Sequence, residues 1–291
     1  MLETISPVEL ILNPDNSIYH LALRPEDLAP IVLTVGDPAR VLQVSKHFDS
    51  IEVKKVHREF VTHTGYLGKQ RITVLSTGMG TGNIDIVMNE LDALVNIDFV
   101  TQQAKAQLTS LTIIRLGTTG ALQANIAVGE NILSRFAIGL DGLLNFYNLP
   151  MSAETQQLQA QFLAHFNADQ LPITPYITEV DATLSHLFAK HFTAGITVTC
   201  GGFYASQGRR LRAAPRINRF IEKLSQLNFT HRVTNLEMET AAIYGLGTVL
   251  GHRCCSLSTV LANRMTQKFS ADPKAAIDNM IQQALQEIEK L

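Results

Sequence analysis

Ile113-Ile114-Arg115-Leu116-Gly117-Thr118-Thr119-Gly120 is the stretch on which the reading of this chain turns. Its apolar start predicts a buried strand, residues 111–116, that runs into a Gly-Thr-Thr-Gly turn with an arginine near the strand's end. Glycines let backbone N–H groups crowd an anion, threonines add hydroxyl donors, and arginine adds a charged fork. Thr34-Val35-Gly36-Asp37-Pro38-Ala39-Arg40 repeats the pattern after a second short strand. Two anion-type turns on two strands point to an enzyme that uses phosphate without a metal.

The rest of the chain alternates strand with helix. Residues 31–35 read as a strand; Asp37 and Pro38 then cap and start a helix over residues 39–48. Residues 51–62 read as one strand, 64–67 as a hairpin and 70–76 as a further strand. Gly78-Met79-Gly80-Thr81-Gly82 opens a helix that reaches about Asn96. Later strands are expected at 131–138, 195–200, 233–236 and 254–261, and helices at 152–166, 215–227, 238–250 and 273–290. The polar segment 98–110 reads as a surface insertion or as a helix extension that meets a neighbouring subunit. The expected fold is a single α/β domain over residues 1–291, with a mixed, partly closed central β-sheet flanked by helices.

Composition narrows the function. The chain has 291 residues, 46% hydrophobic and 17% charged, with net charge −2. That supports a large core and offers no basic surface for nucleic acid. Apolar runs are broken well short of a membrane span, and the first residues lack a basic-then-apolar signal, so a cytoplasmic location is the expectation. Cys200, Cys254 and Cys255 cannot all pair and lie in apolar strand-like runs; buried free thiols are expected.

Several motifs appear in a fixed order: His20-Leu21-Ala22-Leu23, Gly36-Asp37-Pro38-Ala39-Arg40, His57-Arg58-Glu59-Phe60, Ser76-Thr77-Gly78-Met79-Gly80, Arg115-Leu116-Gly117-Thr118-Thr119-Gly120, Phe203-Tyr204-Ala205-Ser206-Gln207-Gly208-Arg209, Asn235-Leu236-Glu237-Met238-Glu239 and Asn263-Arg264. In this the chain resembles the uridine phosphorylase branch of the nucleoside phosphorylase superfamily over residues 20–264. The resemblance implies phosphate ligands Gly36, Arg40, Arg58, Arg115 and Thr118, and ribose ligands His20, Thr118, Met238 and Glu239. It implies base contacts from Thr119, Gly120, Phe203, Gln207, Arg209 and Arg264. Arg115, Glu239, Gln207 and Arg209 would carry the chemistry. The resemblance also implies a homo-oligomer in which Arg58 and His20 enter the site of a neighbouring subunit.

The residue types suit those roles. A carboxylate at Glu239 can accept from two vicinal hydroxyls, and Met238 offers a flexible apolar floor to the sugar. One Gln and one Arg can meet the acceptor–donor–acceptor edge of uracil, with Arg209 favouring charge on the leaving base. Glu237 reads either as helix-end electrostatics or as support for the same end of the site. Arg210, Arg212 and Arg216 read as a solvated basic loop.

Departures from the family pattern matter too. Purine-specific relatives carry an aspartate where this chain has Ala262-Asn263-Arg264, which argues against a purine leaving group. Glu59 matches a potassium ligand of some relatives, but the accompanying serine is Asn83, so no cofactor is expected beyond phosphate as co-substrate. Ala205-Ser206 replaces the usual Pro-Gly before the glutamine. Reversible phosphorolysis of uridine is the reading; a purine phosphorylase, a phosphate-independent nucleosidase and a non-catalytic nucleoside-binding protein stay open at this point.

Overall fold

The computed structural model describes residues 4–166, 171–227 and 229–291. Its first half begins with β1 (Ile31–Val35), buried throughout, and α1 (Pro38–Ser45). Asp37 caps α1 by accepting from Ala39 N at 2.9 Å, as its sequence predicts. The strand expected over residues 51–62 is two strands, β2 (Ser50–His57) and β3 (Phe60–Leu67), joined by a tight turn at Arg58-Glu59. Arg58 there adopts φ 54°, a left-handed conformation that an arginine does not advertise. β4 (Gln70–Ser76) lies parallel to β1, and α2 (Thr81–Asn96) follows. Residues 98–110 do not extend that helix. The chain leaves α2 through β5 (Ile97–Asp98) and β6 (Gln103–Ala104), a small separate hairpin that Ile5 joins by a hydrogen bond to the Gln102 carbonyl.

The second half contributes β7 (Thr112–Ala121), β8 (Asn131–Leu140), α3 (Ala153–Phe166), β9 (Tyr176–Glu179), α4 (Ala182–Phe188) and β10 (Thr193–Cys200). It continues with α5 (Phe220–Ser225), β11 (Val233–Glu237), α6 (Thr240–Leu250), β12 (Arg253–Asn263), β13 (Lys268–Phe269) and α7 (Pro273–Ile288). The helix expected over residues 215–227 is only α5, because Arg219 at φ 53° sets its start late. β9 and α4 are too short to carry a periodic signal and went unread.

The strands form one mixed sheet in the order β13-β12-β8-β10-β11-β7-β1-β4-β3-β2, and β12 also pairs with β7. That second pairing closes β7, β11, β10, β8 and β12 into a ring, with β1, β4, β3 and β2 running off β7 as an open wing. Apolar side chains fill both faces, among them Leu33, Ile113, Ile114, Leu116, Phe162 and Ile281, all fully buried.

The Gly-Thr-Thr-Gly segment is not a turn. β7 continues through it to Ala121 because β12 pairs with it in parallel from Thr112 to Ala121. On its other edge β7 forks. Ile31–Thr34 of β1 pair with residues 112–115, whereas Asn235 and Leu236 of β11 pair antiparallel with Ala121 and Gly120. Between them, residues 116–119 face the gap where β1 and β11 diverge. Such a divergence in an α/β sheet is where ligands bind.

Candidate active site

Arg115 stands at the fork and is 7% exposed. Its Nη2 donates to Glu239 Oε2 at 2.5 Å and lies 3.2 Å from Glu237 Oε2; its Nη1 donates to Ser258 Oγ at 3.2 Å. The guanidinium lies forward along its own strand over Gly117, where a Cβ would collide with it. The glycine at that position therefore serves the arginine's packing rather than a backbone nest. Burial alone would push Arg115 down, but Glu237 and Glu239 outweigh it and hold the guanidinium above its ordinary value.

Glu237 ends β11 and caps α6. It accepts from Thr199 Oγ1 at 2.6 Å, from Glu239 N at 2.9 Å and from Thr240 N at 3.0 Å. Burial raises its pKa despite the pull of Arg115. Glu237 thus fixes both the helix end and the arginine, so the two roles left open for it go together. Glu239 also accepts from Gly80 N at 2.7 Å. Gly80 reaches it at φ 90°, a conformation natural to glycine. Met238, half-buried, lies against the same Gly80.

Arg40 joins this end. Its Nη1 donates to the Leu116 carbonyl, in the stretch of β7 whose far edge faces the gap, at 3.4 Å. Burial pulls its pKa down, and Arg115 adds to that through like-charge repulsion; Asp37 and Glu239 oppose both. Gly36 lies beside Gly78, since a Cβ on it would be 3.4 Å from the Gly78 carbonyl. The two glycine loops therefore share one rim. Thr118 is half-buried in the gap.

The loop expected to meet the base, the base loop, forms a second cluster. Arg209 Nη1 donates to the Gln207 side-chain oxygen and, at 2.8 Å, to the Phe203 carbonyl; its Cζ lies 3.7 Å from the centre of the Phe203 ring. Arg264 Nη1 donates to the Gln207 carbonyl at 3.2 Å, and its stem covers Gly120. Burial and the neighbouring Arg264 bring Arg209 down to about 10, so it stays cationic at neutral pH. Thr119 differs from its neighbours: its hydroxyl is committed to the Leu236 carbonyl at 2.7 Å and to Asn235 Nδ2 at 2.8 Å, which ties β7 to β11. β7 acts as a ruler between the clusters. Arg115 to Gly120 spans about 16 Å of strand, room for an anion, a pentose and a base in line.

Two predicted ligands lie elsewhere. His20 Nδ1 is 2.6 Å from Glu90 Oε1, and its carbonyl meets His57 Nδ1 at 2.8 Å. Exposed Arg58 lies 5.2 Å over the Tyr19 ring. Glu90 is ten residues along α2 from Gly80, about 15 Å. Among the described residues no hydrogen bond or ion pair joins this Tyr19-His20-Arg58 patch to Arg115 or Glu239. Glu59 Oε1 accepts from Asn83 Nδ2 at 3.4 Å. The three cysteines are free and buried, and burial pushes each thiol up.

Residues 30–291 match the family model described as the phosphorylase superfamily. The chain belongs to that superfamily. It is 30% identical over 279 residues to a uridine phosphorylase of Thermococcus kodakarensis, covering 92% of this chain and 86% of that protein. A uridine phosphorylase of Haemophilus influenzae is 29% identical over 257 residues, 87% and 89% of the two chains. Among solved structures, a Trypanosoma brucei nucleoside phosphorylase described as showing uridine phosphorylase activity superposes with a TM-score of 0.89. It is 27% identical, over 97% of this chain and 100% of that one. Membership accounts for the partly closed sheet and for the order of the motifs. Ser258, a single polar group inside a buried strand, carries no sequence pattern of its own, and Glu90 meets His20 across 70 residues with none either.

Proposed function

We propose that this enzyme catalyses the reversible phosphorolysis of uridine to uracil and ribose 1-phosphate. The observation that carries the reading is the arrangement along β7: Arg115 with Arg40 and Glu239 at one end, Gln207 with Arg209 and Arg264 at the other. Phosphate beside the guanidinium groups stabilises positive charge developing at C1′ and then bonds to it. Glu239 holds the ribose hydroxyls, and the cationic Gln207–Arg209 face receives the departing uracil with its negative charge. Positioning and charge complementarity carry the rate, and no covalent enzyme intermediate is required.

Charge supports a shared site. Arg40 and Arg115 are balanced within the chain by Glu237 and Glu239, so a phosphate dianion calls for further positive charge. Arg58 of a second copy would supply it, with His20 of that copy reaching the ribose 5′-hydroxyl. A homo-oligomer of the chain is therefore part of the proposal, and so is a cytoplasmic location. No helix among the described residues is long and apolar enough to cross a membrane.

A nucleoside panel at saturating phosphate tests the base assignment. Uridine should exceed inosine in kcat/KM by at least about a hundredfold, as expected where buried polar groups must be matched. Preference for inosine would overturn it.

A further inference from the structure

Asp141 follows β8 directly, on the rim of the site. Leu140 pairs with Cys200, and Thr199 with Glu237, so Asp141 and Gly201 stand at the same level, two residues past Glu237 in register. A Cβ on Gly201, where the base loop begins, would be 3.5 Å from Asp141 Cα. Asp141 Oδ2 accepts from Tyr176 Oη at 2.6 Å, and Oδ1 accepts from Leu143 N at 2.9 Å. Tyr176 is buried and crosses β8 over Gly139, where any Cβ would fall inside the phenol ring. Burial raises both groups: Asp141 against its hydrogen bonds, Tyr176 with Asp141 adding to the effect.

The contacts of this pair divide the site. Gly201 roots the loop that carries Phe203, Gln207 and Arg209. The phosphate arginines rest on other groups, Ser258, Glu237 and the Leu116 carbonyl. We propose that Asp141 and Tyr176 form a positioning pair that fixes the root of the base loop and so sets the base contacts against the rest of the site. The pair acts through Gly201. It rests on the nucleoside phosphorylase reading and deepens it.

Tyr176→Phe keeps the ring over Gly139 and removes one O–H; Asp141→Asn keeps the shape and removes the charge. Initial rates of the full chain, with uridine and phosphate varied independently, test the pair. The KM for uridine should rise about fivefold to tenfold in Tyr176→Phe, the worth of one hydrogen bond, with the phosphate KM within about twofold of wild type. Asp141→Asn should move the two constants in the same unequal way. An unchanged uridine KM in the properly folded Tyr176→Phe protein, or both constants rising together, would overturn the pair while leaving the reaction intact. Wild-type protein that does not cleave uridine in this assay would overturn the reaction and the pair together.

Discussion

Compare the two ends of the cleft. Arg115, Glu237 and Glu239 are nearly buried, sit on a strand and at a helix start, and satisfy one another; Phe203 is 50% exposed, and Arg209 hangs from a loop with one short helical turn. At the first end the groups proposed to bind ligand are also part of the fold, since Glu237 caps α6 and Arg115 pairs with two buried carboxylates. At the second they are attached to the fold through Arg264 and the rim. Damage to the sheet-built end should therefore cost stability and activity together, whereas damage to the loop-built end should cost activity alone.

Arg115→Ala is the largest break. It leaves Glu237 and Glu239 buried without their cation, a cost of about 3–5 kcal/mol. Thermal melting should show the loss of stability, and kcat/KM should fall by at least about a thousandfold. Next is Gly117→Ala, whose new methyl must displace the Arg115 guanidinium; steady-state kinetics should show about a hundredfold loss in kcat/KM. Gln207→Ala should lower kcat/KM for uridine by about tenfold to a hundredfold and leave the phosphate KM within about twofold. Equal damage to both substrates would dissolve the distinction between the ends. Mixing inactive Arg58→Ala with inactive Glu239→Ala should restore activity, up to about a quarter of wild type if random dimers each rebuild one site. Absence of rescue would place Arg58 and Glu239 in one subunit's site. Smallest is Arg210→Ala, an exposed loop arginine, which should change kcat/KM by less than about twofold.

What the sequence revealed follows the same division. Arg115 and Arg40 were legible because each stands close to glycines in the sequence, and Glu239 because it follows a strand end; the ordered motifs named the family. Reading residues 117–120 as a turn failed because glycines normally end strands; here they continue one, held by the parallel β12 and kept free of side chains for Arg115. The Arg58 turn was hidden inside an alternating run, since only its backbone conformation breaks β2 from β3. Asp141 and Tyr176 lie 35 residues apart and meet only through the β8–β9 pairing, which no local pattern encodes.

The most direct test is uridine cleavage by the purified protein as phosphate is raised from zero to saturation, with products separated by chromatography. The account predicts no uracil without phosphate, saturable dependence on it, and one ribose 1-phosphate for each uracil. Uracil formed at the same rate without phosphate, alongside free ribose, would contradict it.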